Sequence, residues 1–162
     1  MPREYIIRKA QPEDARGIHE VVLAAFEEFR DFYSPEGFAD TVMSENVALE
    51  RLKNMTLFVA VIQNNKMIGT VGWKRISEKE GHIRGMAVHP KFQGKNSPAA
   101  DLLKEVENDA LSQGCTFLTL DTTEILKRAQ HFYKKHGFKE TGKTGDFFGS
   151  TIYEFKKEIS EG

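Results

Sequence analysis

The segment Met86-Ala87-Val88-His89-Pro90-Lys91-Phe92-Gln93-Gly94-Lys95 reads as a strand that runs into a Gln-Gly-Lys loop and opens a helix. Such a loop aims successive backbone N–H groups and the positive end of a helix dipole at one point, with Lys95 adding a mobile cation, which makes a seat for a pyrophosphate. Gly-rich strand-to-helix turns also exist only to make the turn, so this segment alone leaves both readings open. In a second segment, Ala129-Gln130-His131-Phe132-Tyr133-Lys134-Lys135-His136-Gly137-Phe138, helical spacing sets Ile125, Ala129, Phe132 and His136 on one face. Gly137 is placed for the left-handed C-cap that returns Phe138 to the core. Taken singly, Phe132 and Tyr133 read as core aromatics.

The elements that must position these segments follow from periodicity. Tyr5-Ile6-Ile7-Arg8 reads as a first strand, and Pro12-Glu13-Asp14 fits the first turn of a helix. Ile18, Val22, Ala25 and Phe29 form that helix's apolar stripe, leaving Glu20, Glu27 and Glu28 toward water. Ser34-Pro35 and Gly37 read as a break before a weaker helix over residues 40–53. Leu57 to Ile62 and Met67 to Trp73 read as two antiparallel strands joined across Gln63-Asn64-Asn65-Lys66, and residues 82–88 as a further strand. A helix from Pro98 to about Ser112, with Leu102, Leu103, Val106 and Ala110 on one face, ends at Gly114. Strand 117–122, helix 125–136 and strand 151–155 then alternate. A meander followed by strand-helix alternation predicts a mixed α/β sheet.

Size and charge limit the function classes. The 162 residues fit one domain, are 40% hydrophobic, and balance 23 basic against 24 acidic residues for a formal net charge of −1. No field of one sign draws the whole chain to nucleic acid or an anionic membrane. The local basic run Lys127, Arg128, Lys134 and Lys135 reads as the solvated face of a helix. The single cysteine, Cys115, rules out an internal disulfide, suits a reducing compartment and reads as a small core residue. Met1-Pro2-Arg3-Glu4-Tyr5 lacks an apolar signal region, and no apolar run approaches the roughly 20 residues of a membrane span. A cytoplasmic protein is expected.

Together and in this order, the two chemical segments resemble the GNAT N-acetyltransferase family. Ile7-Arg8-Lys9-Ala10 with Asp14 is similar to the family's opening, and Gly69-Thr70-Val71-Gly72 to its third strand. The resemblance implies a single domain over residues 1–162 with a mixed, mostly antiparallel sheet of six to seven strands flanked by about four helices. It implies acetyl-CoA as cosubstrate, no metal, and transfer of an acetyl group to a primary amine of a small molecule or peptide by direct attack. A homodimer is left open, and neither nucleic acid nor membrane is an implied partner. In the implied site, the fourth and fifth strands splay into a V that receives pantetheine, bonded by main-chain groups near Met86 and Val88. The pyrophosphate rests on Gln93, Gly94, Lys95, Asn96, Ser97 and Ala99. A strand N–H near Met86 or Ala87 stabilises the oxyanion, and Tyr133 protonates the departing thiolate. The place where many members carry a glutamate base is His82 here; a strand histidine is also commonly structural. Glu80 stands on the same face if the strand extends that far, and Asp121 and Thr123 are further candidates to orient or deprotonate the amine.

The sequence departs from the family's pattern at the phosphate loop. Asn96 replaces the first glycine and Pro98 the second, and a one-residue insertion brings Ala99 to the second small position. Asn96 tolerates a left-handed backbone, and Ser97-Pro98 reads as an N-cap followed by a first-turn proline. Pro98 lacks an N–H, Asp101 adds negative charge to the first turn, and Leu126 stands where the second motif usually has Asn. These departures carry the alternative of a degenerate CoA-binding or protein-interaction module. Phe29, Phe32, Tyr33, Asp146, Phe147 and Phe148 read either as an aromatic-walled acceptor cleft with acids or as core or dimer interface.

Overall fold

In the computed structural model, which describes residues 4–160, the β-branched and aromatic runs become strands: β1 Ile6–Lys9, β2 Thr56–Ile62, β3 Lys66–Arg75, β4 Glu80–Val88, β5 Phe117–Thr123, β6 Lys139–Phe147 and β7 Ser150–Glu158. Residues 1–3, read above as part of an opening without a signal region, lie outside the described residues. The sheet order is β1-β2-β3-β4-β5-β7-β6, antiparallel throughout except between β4 and β5. A parallel pair needs a crossover, and α4, Ala99–Ser112, supplies it. The other helices are α1 Ala15–Phe26, α2 Pro35–Thr41, α3 Glu45–Asn54 and α5 Lys127–Lys135. The mixed α/β class and mostly antiparallel sheet are as expected, with five α-helices among the described residues where about four were anticipated. Among the described residues, no helix is long and apolar enough to cross a membrane.

Helices cover both faces of the sheet, which gives two cores. One face packs Val71, Trp73, Ile83, Leu118, Leu120 and Phe155 under Leu102, Leu103, Val106 and Ala110 of α4 and Tyr133 of α5. The Trp73 indole N–H donates to Asp109 of α4 at 2.9 Å, so the largest core side chain is also satisfied at its polar end. The other face packs Leu57, Val59, Val61 and Ala87 against Ile18, Val22 and Ala25 of α1, Phe38 of α2 and Ala48 of α3. Gly69 allows α4 to sit close to β3. A Cβ there would lie 3.0 Å from Leu102 Cδ1 and 3.4 Å from Pro98 Cγ, so the helix's first turn rests directly on the strand.

Four local readings are corrected. The expected break at Ser34-Pro35 is a helix start, because the Ser34 hydroxyl accepts from Gly37 N–H at 3.1 Å and Pro35 occupies the first turn. The following helix begins at Glu45 rather than near residue 40, capped by Ser44. Strand β6 was not anticipated: Lys139–Phe147 carries no apolar alternation and is exposed up to Phe147, as a charged edge strand can be. In α5 the buried residues are Gln130 and Tyr133, not the Ile125, Ala129, Phe132 and His136 stripe, whose members are only half-buried.

The N-terminal corner is held by a forked ion pair. Arg8 Nη1 and Nη2 reach Asp14 Oδ2 and Oδ1 at 2.7 and 2.9 Å, and Gln11 N–H donates to the same carboxylate at 2.7 Å. The Arg8 hydrogen bond holds Asp14 below the usual carboxylate range, against the opposing effect of burial. Asp14→Asn is expected to lower stability at pH 7 by about 1–3 kcal/mol. A folded-state pKa below the unfolded value of about 3.9 contributes stability that is complete above that value and lost as pH falls through the lower one. Urea unfolding should show a wide gap between wild type and variant at neutral pH that narrows at about pH 3 and below; a constant gap would assign the effect to packing.

Candidate active site

Strands β4 and β5 pair only at Glu80↔Phe117, Gly81↔Leu118 and His82↔Thr119, and then separate. The phase of the β3–β4 ladder shows what β4 turns into the opening. Ile76 N–H donates to Glu80 O and His89 N–H to Ile68 O, each at 2.9 Å, which fixes the alternation on both sides of a register shift. Arg84 and Ala87 therefore turn their main chains toward β3. Gly85 and Met86, two residues facing Val71 alone, form a wide bulge whose main-chain groups face the opening, as do those of Val88. Gly85 sits at φ +76°, a left-handed conformation that favours glycine. Of the expected main-chain contacts, Met86 and Val88 lie in the opening; Ala87 is turned away, which corrects its reading as an oxyanion donor.

On the α4–α5 face the opening is apolar. Tyr133 is buried between Phe132 and Phe138, with ring centroids 5.5 and 5.7 Å away, and its hydroxyl donates to Met86 Sδ at 3.5 Å. Burial pushes the phenol well above the ordinary tyrosine pKa, so it holds its proton throughout the physiological range. Thr122 shares this face with Leu118 and Leu120 by strand alternation, and its Oγ1 is buried with no hydrogen-bond partner among the described residues. An orphaned hydroxyl at the mouth of an opened sheet is what a polar ligand arm would satisfy.

At the far end of β4 lies the expected phosphate loop. Gly94 and Asn96 are both left-handed, at φ +83° and +68°, as foreseen for Asn96. Ser97 N–H closes a turn on Gly94 O at 3.1 Å. Pro98 rather than Ser97 is the N-cap residue of α4, but the Ser97 hydroxyl still accepts from Ala99 N–H at 3.1 Å. Lys95 is exposed. The acid that threatened the first turn is engaged: Tyr5 Oη donates to Asp101 Oδ2. The Gln93 side chain donates to Val88 O at 2.9 Å and accepts from Arg128 at 3.0 Å, an unanticipated tie between the loop and α5. The opened strands, the orphaned Thr122 hydroxyl and the two left-handed loop residues fit a ligand with a polar arm and an anionic end.

The opposite face of the opening is polar. Glu80 is part of β4, so it shares a face with His82. Thr119 Oγ1 donates to Glu80 Oε2 at 2.7 Å and lies 2.8 Å from His82 Nδ1; His82 Nε2 is 3.7 Å from Asp121 Oδ2. Burial raises the Asp121 pKa, His82 opposes that, and Glu154 and Glu80 add to it. Thr123 accepts or donates with Tyr33 Oη at 3.3 Å, so Tyr33 is core; Phe147 packs edge-on against it at 6.4 Å. Phe32 and Phe148 are exposed. Sequence reasoning found His82, Glu80, Asp121 and Thr123 but not Thr119, which only the β4–β5 register brings under the imidazole. It also missed the bulge, although a glycine inside the run Ile83-Arg84-Gly85-Met86 is its signal.

Residues 18–138 match the Acetyltransferase (GNAT) family. No curated protein matches the sequence. Among solved structures, the PaiA N-acetyltransferase from Thermoplasma acidophilum in complex with coenzyme A is 21% identical, with TM-score 0.80 over 96% of this chain and 99% of that one. A GNAT-family acetyltransferase from Staphylococcus aureus is 17% identical, with TM-score 0.77 over 97% and 100%. The ribosomal-protein-S18-alanine N-acetyltransferase from Escherichia coli is 16% identical, with TM-score 0.75 over 98% and 96%. At these identities the likeness is one of fold.

The bulge offers a direct check on the opening. Gly85→Ala puts a Cβ 3.4 Å from Arg51 Nη1 and Met43 Cε in a left-handed backbone, so it should reduce stability by about 1–2 kcal/mol. Thermal unfolding measures this, and a variant as stable as wild type would mean that the bulge is relaxed at no cost.

Proposed function

We infer the reaction from one premise, that this chain belongs to the GNAT acetyltransferase family: it transfers an acetyl group from acetyl-CoA to a primary amine of a small molecule or peptide. The observation that carries this reading is the parting of β4 and β5 beyond His82↔Thr119, with Tyr133 on one face and His82 on the other. Residues 1–162 act as one catalytic domain in this reading, and the protein works in the cytoplasm.

Met86 and Val88 hold the pantetheine arm through main-chain groups, Thr122 Oγ1 supplies a side-chain contact, and Gln93, Gly94, Lys95, Asn96, Ser97 and Ala99 bear the pyrophosphate. Acetyl-CoA supplies an activated acyl carbon: the amine nitrogen bonds to it and the C–S bond breaks with its electron pair on sulfur. The Met86 N–H donates to the carbonyl oxygen as it gains charge, a role suited to a fixed main-chain donor in a water-poor cleft. His82 takes a proton from the entering ammonium, since an ammonium has no lone pair. Tyr133 donates to the leaving sulfur; its raised pKa keeps the donor proton in place until that sulfur carries charge. The second amine proton restores the Tyr133 phenol and the one held by His82 passes to solvent, so one proton is released per turnover.

A second reading, a CoA-binding or protein-interaction module with little catalysis, is favoured by Pro98, which removes an N–H from the phosphate end. Isothermal titration with acetyl-CoA tests both at the cofactor level; absence of heat at millimolar concentration would overturn them together. CoA binding without thioester cleavage across an amine panel would select the module. For the enzyme, Tyr133→Phe keeps the buried ring and is expected to lower kcat by about 10- to 100-fold. An unchanged kcat would remove Tyr133 from the acid's role.

A further inference from the structure

The chain Glu80, Thr119, His82 and Asp121 has a directionality that follows from counting protons. An ionised Glu80 only accepts, and the single Thr119 hydroxyl proton goes to it at 2.7 Å. Thr119 Oγ1 then has only lone pairs to offer His82 Nδ1 at 2.8 Å, so Nδ1 must carry the ring proton. In the neutral ring Nε2 is left bare. It stands 3.7 Å from Asp121 Oδ2, too far for a direct hydrogen bond and with two acceptors facing the same space. A group with several N–H donors satisfies both.

We propose, building on the acetyltransferase reading, that Glu80 and Thr119 are positioning residues that lock His82 as the Nδ1–H tautomer. Nε2 and Asp121 Oδ2 then form a two-acceptor seat for the acceptor amine, which arrives as a primary ammonium. The ammonium donates one N–H to each acceptor. Proton transfer to Nε2 produces the imidazolium and frees the nitrogen lone pair for the acyl carbon, while the Asp121 carboxylate stays ionised and stabilises the new positive charge. Charge and protons balance within the step. Thr119 is 3% exposed, so the relay is held by packing as well as by hydrogen bonds. The charged groups sharing this face with His82 include Lys74 across β3, Glu80 and Arg84 on β4, Asp121 on β5, Glu154, Lys156 and Glu158 on β7 and Lys139 on β6, with Asp40 of α2 reaching Arg84 at 3.6 Å.

Ring-nitrogen NMR on the full chain with 15N-labelled histidine tests the relay without any turnover. Wild type and Thr119→Ser should show His82 as Nδ1–H near neutral pH, while Thr119→Val should lose that preference; an Nε2–H tautomer in wild type, or a Val variant identical to it, would overturn the proposal. Titration with n-butylammonium should move the His82 Nε2 resonance in wild type but not in Asp121→Asn, and tetramethylammonium, which has no N–H, should move neither. Equal responses to the two cations would overturn the seat. In acetyl transfer to a primary amine, Thr119→Val should lose about 10- to 100-fold in kcat with little change in KM, and Thr119→Ser should restore most of it. Asp121→Asn should instead act mainly on the amine KM. Should wild type transfer no acetyl group to any amine, the acetyltransferase reading falls, while the NMR arms still decide the tautomer and the seat.

Discussion

The arrangement depends on one event in the sheet, the parting of β4 from β5 after His82↔Thr119. A parallel pair normally continues while both strands have residues to offer, because an unpaired buried main-chain group costs free energy. Here β4 gains one residue at Gly85-Met86 and turns away, and the register of β3 against β4 absorbs the shift. The main-chain groups of Gly85 and Met86 and the Val88 N–H are thereby released on one side, while Val88 O is held by the Gln93 side chain and Arg84 and Ala87 stay tied to β3. The opening is thus lined by fixed polar groups that need no reorganisation to meet a ligand.

Because the opening passes between two strands, it joins the two faces of the sheet and keeps their chemistries separate. One face is apolar and holds a buried phenol, Tyr133, beside Met86 and the orphaned Thr122 hydroxyl. The other collects Glu80, Thr119, His82 and Asp121. Burial shifts Tyr133 and Asp121 toward their protonated forms on the two sides, but a facing histidine opposes the shift only at Asp121. A donor that keeps its proton and an acceptor set able to receive one are therefore held on opposite sides of a single gap.

The loop from Gln93 to Ala99 shows how altered side chains can preserve a backbone shape. Asn96 adopts the left-handed conformation that a glycine would adopt more easily, and Ser97 caps Ala99 although Pro98 occupies the N-cap. Asp101 is drawn into a hydrogen bond with Tyr5, and Gln93 is pinned between Val88 O and Arg128. The loop's geometry is thus supported by Tyr5, just ahead of β1, and by Arg128 of α5, which lie far from it in sequence.

Much of the fold was legible in the sequence because the apolar runs of β2, β3 and β4 and the stripes of α1 and α4 are periodic, and periodicity decides local structure when one face is buried. The two motifs and the left-handed Asn96 were readable for the same local reason. Strand β6 was not, since an exposed edge strand of Lys, Glu, Thr and Gly leaves no apolar pattern. The buried face of α5 was misread because its flanks are aromatic while its contact face holds Gln130, whose side chain donates to Thr123 O at 3.0 Å. Above all, residues 37 positions apart in the chain meet at His82 and Thr119 through a parallel register. By itself the sequence determined which residue types stood at the ends of the strands. Only the tertiary structure decided which of them share a proton, because a hydrogen bond across a parallel pair depends on register and face, and neither has a local signal.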